Sequence, residues 1–180
     1  MPTFGDLNAQ LLIVGLAPGL RGANRTGRPF TGDHAGELLY GTLVNTGFAT
    51  GIFEARADDS LSLVDTAVSN AVRCVPPQNK PTPLEIRTCS RFLASTISAM
   101  PRLKAILALG KIAHDSTVAV LKMKASDARF AHGAKHPTPS GTMLFDSYHC
   151  SRLNTNTGRL TEEMFVEVVD ELKMYVARAT

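Results

Sequence analysis

Leu11-Leu12-Ile13-Val14-Gly15-Leu16-Ala17, closed by Pro18-Gly19, is the longest apolar run in the chain. Apolar residues at every position, rather than at alternate ones, belong to a strand buried on both faces, as inside a parallel sheet. A run this short cannot cross a bilayer, which takes roughly 18–20 apolar residues.

Beyond this strand, Ala35, Leu38, Leu39, Thr42 and Leu43 recur at helical spacing until Gly47 stops them. Val64 to Val72 reads as a second strand, ended by Pro76-Pro77. Pro83 sits at a first helical turn and opens a helix to about Met100. Ala105 to Leu109 is a third strand, and Gly110 leads from it into a short helix from Lys111 to Leu121. Met143 to Tyr148 is a fourth strand. A last helix runs from about Thr161 to Ala177, with Thr161 placed as its cap. Alternating strands and helices predict an α/β fold, a three-layer α/β/α sandwich on a short, mainly parallel four-stranded central sheet.

The chain has 180 residues, 44% hydrophobic and 19% charged, which is material for one core and one domain spanning residues 1–180. Disordered, collagen-like and coiled-coil classes are excluded. The start, Met-Pro-Thr-Phe-Gly-Asp, shows no basic segment followed by an apolar one, so a cytoplasmic protein, monomeric and without a membrane partner, is expected. Three cysteines, Cys74, Cys89 and Cys150, suit free thiols rather than a disulfide framework.

The net charge of +3 is mild, but its distribution is informative. Arg21, Arg25 and Arg28 fall between Pro18 and Gly32 with no acid among them. Arg152, Arg159 and His149 occupy a second acid-free stretch, from Ser147 to Leu160. Glu162, Glu163, Glu167, Asp170 and Glu171 gather on the last helix. Two basic loops are what a phosphate-contacting surface needs.

Ligands of parallel sheets bind at the carboxyl ends of the strands. The loops there are Ala17 to Asp33, Arg73 to Lys80, the one beginning at Gly110, and His149 to Arg159. Gly15, Gly19 and Gly22 allow close backbone approach to a ligand, or simply a tight strand exit. Asp33 fits a carboxylate of a site and also the N-cap of the following helix. His149 at a strand end can offer an imidazole to a ligand. Phe30 fits a stacking ring or an ordinary core ring. Asn79, between prolines, fits a turn or a ligand contact, and Asn70 is a second amide candidate. His34, His132 and His136 read as surface or loop histidines.

These residues carry a resemblance. Gly15-Leu-Ala-Pro-Gly19 with Gly22-Ala-Asn-Arg-Thr-Gly-Arg-Pro-Phe-Thr-Gly-Asp33 resembles motif A of the family 5 (type B) uracil-DNA glycosylases. Ala71 to Pro83 resembles that family's cysteine and Asn segment, and Ser147 to Thr161 its motif B. The resemblance implies cleavage of the N-glycosidic bond of a deaminated base in double- or single-stranded DNA, after the base is flipped from the stack. It makes Asp33 the residue that orients water and stabilises the oxocarbenium-like sugar, and His149 the stabiliser of the departing base. Asn79 would hold base or water, Phe30 would stack on the base, and Leu16, Ala17, Gly19 and Asn70 would line the pocket. Arg21, Arg25 and Arg28 would meet phosphates, and the Ser151-Arg152-Leu153-Asn154 loop would press into the duplex.

The family also carries a [4Fe-4S] cluster on four cysteines. Cys74 and Cys89, 15 positions apart, match the second pair, and the first pair has no counterpart here. Two thiolates do not hold a four-ligand cluster. An absent or incomplete cluster is therefore expected, with the family's N-terminal cysteine segment missing. Motif A also lacks the acid or amide that some sister families place directly after its first glycine. A pocket built on water orientation would then admit hypoxanthine and xanthine beside uracil. Two other readings stay open, a non-catalytic DNA-damage binder on the same fold and a small nucleotide-binding α/β enzyme.

Overall fold

The structure, a computed structural model, describes residues 1–178. In chain order its elements are β1 (Phe4–Gly5), β2 (Leu11–Gly15), α1 (Ala23–Thr26), α2 (His34–Thr46), β3 (Ala49–Thr50), β4 (Ser62–Leu63) and β5 (Thr66–Asn70). After a 3-10 turn at Pro77–Asn79 come α3 (Pro83–Ser98), β6 (Ala105–Leu109), α4 (Lys111–Val120), β7 (Lys135–Pro137), β8 (Met143–Ser147), α5 (Arg152–Asn156) and α6 (Glu162–Arg178).

The central sheet has six strands, ordered β1-β5-β2-β6-β8-β7, so the expected four-stranded sheet is corrected. The four anticipated strands are its parallel centre. Antiparallel β1 and β7 flank them as edges too short to show a sequence period. A two-stranded ribbon of β3 and β4 stands apart. The second strand is shorter than Val64 to Val72, because Asp65 has φ +47° and turns exposed Val64 away. Beyond Asn70 the chain still follows β2, with the Ala71 and Val72 amides donating to the Gly15 and Leu16 carbonyls.

Alternation explains why β2 is apolar throughout. Leu11 and Ile13 face one core with Leu39, Leu43, Phe165 and Leu172 of α2 and α6. Leu12 and Val14 face a second with Leu93, Ala113 and Val118 of α3 and α4. Each such side chain, buried completely, contributes about 1.5–3 kcal/mol. Local signals set the helix ends. Thr82 and Glu85 form a reciprocal capping box at α3, and the Thr161 hydroxyl accepts from the Met164 amide at α6. No described helix is long and apolar enough to cross a membrane.

Candidate active site

The carboxyl ends of the parallel strands open into a cavity of about 810 Å³. All four loops expected there reach it. Leu16, Ala17, Gly19, Phe30 and Asp33 come from the loop after β2, and Asn70 ends β5. Asn79 comes from the 3-10 turn, and His149, Ser151, Arg152 and Leu153 follow β8.

Phe30 is 7% exposed, and one side of its ring forms a cavity wall. Core ring and pocket wall are therefore the same role. Its φ of +54° is a left-handed conformation that costs roughly 1–2 kcal/mol for a side chain of this size. Surrounding contacts hold it there. The Tyr40 hydroxyl donates to the Pro29 carbonyl at 2.6 Å. Gly36 in α2 packs so closely that a Cβ would overlap the Phe30 carbonyl oxygen. A Cβ on Gly15 would strike the tip of the Phe30 ring and lie 2.6 Å from Asn70 Oδ1. The glycines of this loop thus make room for side chains, as Gly22 does beneath the Asp33 carboxylate. This weakens the reading of a small nucleotide-binding enzyme, which would use the Gly15 to Gly22 segment to cradle a phosphate.

Asp33 stands at the N-cap position of α2, but its side chain makes no capping hydrogen bond. Its Oδ1 is buried without a partner. Burial raises its pKa, against the opposing pull of the Gly36 and Ala35 amides and the His34 charge. His149 is the complementary group. Its Nδ1 is also buried without a partner, and burial lowers its pKa to about 4. The imidazole is therefore neutral at physiological pH, with one N–H to donate. Its ring centroid lies 5.9 Å from that of Phe30, and the Asn154 side-chain amide donates to its carbonyl at 2.8 Å. Asn154 braces the site from outside the cavity lining.

The two ends of the basic first loop behave differently. Arg21 and Arg25 are exposed, free to meet an anion. Arg28 is not, and its expected phosphate contact is corrected. It is 5% exposed, and its guanidinium grips Asp59 with two bonds of 2.8 and 2.7 Å within a shell of Phe4, Tyr40 and Phe53. That hydrogen bonding holds the Asp59 carboxyl well below the usual range. The pair anchors the loop carrying Phe30 and Asp33. In α5, Leu153 is 73% exposed, and Arg152 beside it is exposed too.

Several lining residues carry no advance signal in the chain. Gly110, Lys111 and Ile112 were anticipated as the turn into α4 and its first residues, with no role of their own in the site. His34, read as a surface residue, also lines the cavity, and its Nε2 pairs with Thr155 Oγ1 at 3.1 Å. His136 is corrected as well. It lies on β7 and is 8% exposed, whereas His132 is half-buried and stacked on Tyr148.

The three cysteines differ in their surroundings. Cys74 is exposed, while Cys89 and Cys150 are buried. Burial pushes the Cys150 thiol up to about 12, which keeps it protonated. Among the described residues one group of three or more histidine, cysteine or acidic ligand atoms converges, and it contains no cysteine.

Phe30, the unpartnered Asp33 Oδ1 and the neutral His149 imidazole thus surround one largely apolar cavity in an α/β protein, with exposed arginines outside it. The chain belongs to the uracil-DNA glycosylase superfamily, whose family model matches residues 2–173. It is 47% identical over 173 residues to a type-5 uracil-DNA glycosylase of Thermus thermophilus, covering 96% of this chain and 78% of that protein. A type-5 uracil-DNA glycosylase of Pyrobaculum aerophilum is 40% identical over 94% of this chain and 73% of its own length. A type-4 uracil-DNA glycosylase of Thermotoga maritima is 28% identical over 97% of this chain and 81% of its own.

Proposed function

We propose that this chain excises uracil from DNA by hydrolysing the N-glycosidic bond, leaving an abasic site for repair. The observation that carries the reading is the pair of buried, unpartnered polar atoms, Asp33 Oδ1 and His149 Nδ1, on two loops of one cavity walled by Phe30. Unpaired buried groups cost about 1–3 kcal/mol each, and a bound substrate supplies their partners.

The flipped uracil stacks on Phe30. As the bond to the sugar C1′ breaks, its electron pair leaves with the base and positive charge develops on the sugar. The His149 N–H donates to the carbonyl oxygen that gathers the anionic charge, and Asp33 balances the sugar's positive charge. Asp33 also orients the water that attacks C1′ and accepts its proton. Asn79 and Asn70 hold base or water by their amides. Leu153, with Arg152, fills the gap left in the stack, while Arg21 and Arg25 contact phosphates.

One chain supplies every group in this account, so a monomer suffices. No step in this account passes through a metal cluster. The cavity has room beyond a pyrimidine, which supports hypoxanthine and xanthine as further substrates. Strict selectivity for uracil in matched duplexes would refute that breadth.

The test is a labelled duplex with one uracil, incubated with wild type or Asp33→Ala and then treated with alkali. Cleavage by wild type and its loss in the variant supports a monofunctional glycosylase with Asp33 at its centre. Damage-specific binding without cleavage of any deaminated base would replace that reading with a non-catalytic binder.

A further inference from the structure

On the α3 and α4 side of the sheet, three polar side chains converge from three different elements. His114 of α4 is 1% exposed, His136 of β7 is 8% and Asp146 of β8 is 0%. His114 Nδ1 lies 2.8 Å from Asp146 Oδ1, and His136 Nε2 lies 3.0 Å from Asp146 Oδ2. Their ligand atoms all fall within 4.8 Å of one another. None of the three lines the active-site cavity, and the excision chemistry uses none of them.

Hydrogen-bond accounting identifies what such a set can hold. His114 Nε2 faces the Ala128 carbonyl at 2.9 Å, and a carbonyl only accepts, so Nε2 carries the hydrogen. His114 Nδ1 is then the atom aimed at Asp146. A neutral ring would oppose a lone pair to a carboxylate oxygen there, so a proton or another cation must lie between them. A ring nitrogen fixed by a backbone carbonyl, with the other turned to a shared centre, is the outer bonding pattern of metal-ligating histidines. The register agrees. His136 pairs directly with Leu144, so Asp146, two residues further, lies on the same face of the sheet.

We propose that His114 Nδ1, His136 Nε2 and the Asp146 carboxylate form a binding site for one late first-row divalent cation of the zinc class, joining α4, β7 and β8. Two imidazoles and a carboxylate suit such an ion better than the all-oxygen shells of calcium or magnesium. A water completes the coordination. The exchange balances. The ion displaces the proton held between His114 and Asp146, while His136 moves its hydrogen from Nε2 to Nδ1 through solvent, so one proton is released per ion. Access runs past β7, an edge strand of three residues with exposed Lys135 and Pro137, whose local opening uncovers His136.

The test uses the full chain carrying Cys74→Ser, treated with chelator, so that the exposed thiol does not compete. Calorimetric titration with Zn²⁺ in two buffers of different ionisation enthalpy should give one equivalent bound and about one proton released. At a free concentration of 100 times Kd, Tm should rise by about 5–10 °C. Asp146→Asn and His136→Gln, checked for folding by circular dichroism, should weaken binding by roughly 100-fold or more. Nitrogen-15 spectra of the unmutated ligands show which histidine nitrogens shift, whether or not the variants fold. No binding, binding unchanged in Asp146→Asn, or shifts confined to His34, His132 or His149 would overturn the site and leave a proton-bridged ion pair.

Discussion

Replacing His149 with Gln should alter how stability depends on pH, because the buried imidazole resists a proton that the unfolded chain accepts. The ordinary histidine value is 6.5, and burial lowers His149 to about 4 in the folded protein. Above pH 6.5 both states are neutral at this residue and its folding contribution is complete. Between 6.5 and about 4 only the unfolded chain gains the proton, so stability falls as pH falls. At about 1.36 kcal/mol per pH unit, the wild type loses about 2 kcal/mol by pH 5 and about 3 kcal/mol below pH 4. The glutamine side chain of the variant has nothing to titrate. Groups that shift the other way, Asp33 and His114, are present in both proteins and cancel from the difference. The assay is urea unfolding of both proteins at pH 7.5 and pH 5. With a slope of about 2 kcal/mol/M, the wild-type midpoint should fall by about 1 M more than that of His149→Gln. Midpoints that move in parallel would show a solvated, ordinary histidine, and the neutral-donor role in base departure would fall with it.

Gly15→Ala should push Phe30 and Asn70 off their positions, lowering kcat/KM on uracil-DNA by about 100-fold. Single-turnover kinetics check this, and unchanged turnover would remove Phe30 from the site. Arg28→Leu leaves Asp59 buried without its partner and should cost about 3–5 kcal/mol in urea unfolding. The salt dependence of DNA binding should stay the same in that variant, whereas Arg21→Ala should make it shallower by about one phosphate contact. His34→Ala and Thr155→Val both cut the 3.1 Å link between α2 and α5. Each should reduce excision from duplex DNA about fivefold, the worth of one net hydrogen bond, and spare single strands, where no wedge is needed. An equal loss on both substrates would refute the bracing of the wedge helix.

Much of the site was legible because its signals are local. Continuous apolar runs mark strands covered on both faces, and such strands direct their following loops to one end of the sheet. Asp33, Asn79 and His149 could therefore be assigned to one edge before any distance was known. Pro83 at a first helical turn and Thr161 as a cap are signals within a few residues of sequence, and the helix starts followed from them; the box of Thr82 and Glu85 appeared only in the folded chain. Arg28 shows where this reasoning stops. In sequence it is one of three arginines in an acid-free loop, and nothing near it separates it from Arg21 and Arg25. Its partner Asp59 is 31 residues away, and only the folded chain brings the two together inside an aromatic shell.

The order of residues was enough for the class of fold, the four parallel strands and the loops that hold the chemistry. Periodicity, glycine and proline stops and motif spacing are properties of neighbouring residues. Everything else had to wait for the folded chain. Folding set the edges of the sheet, because β1 and β7 are strands by virtue of their partners. It left one atom each of Asp33 and His149, Oδ1 and Nδ1, without a partner, because burial depends on everything packed around a group. It also gathered His114, His136 and Asp146, since three side chains spread over more than thirty residues meet only when a helix and two strands are laid against one another.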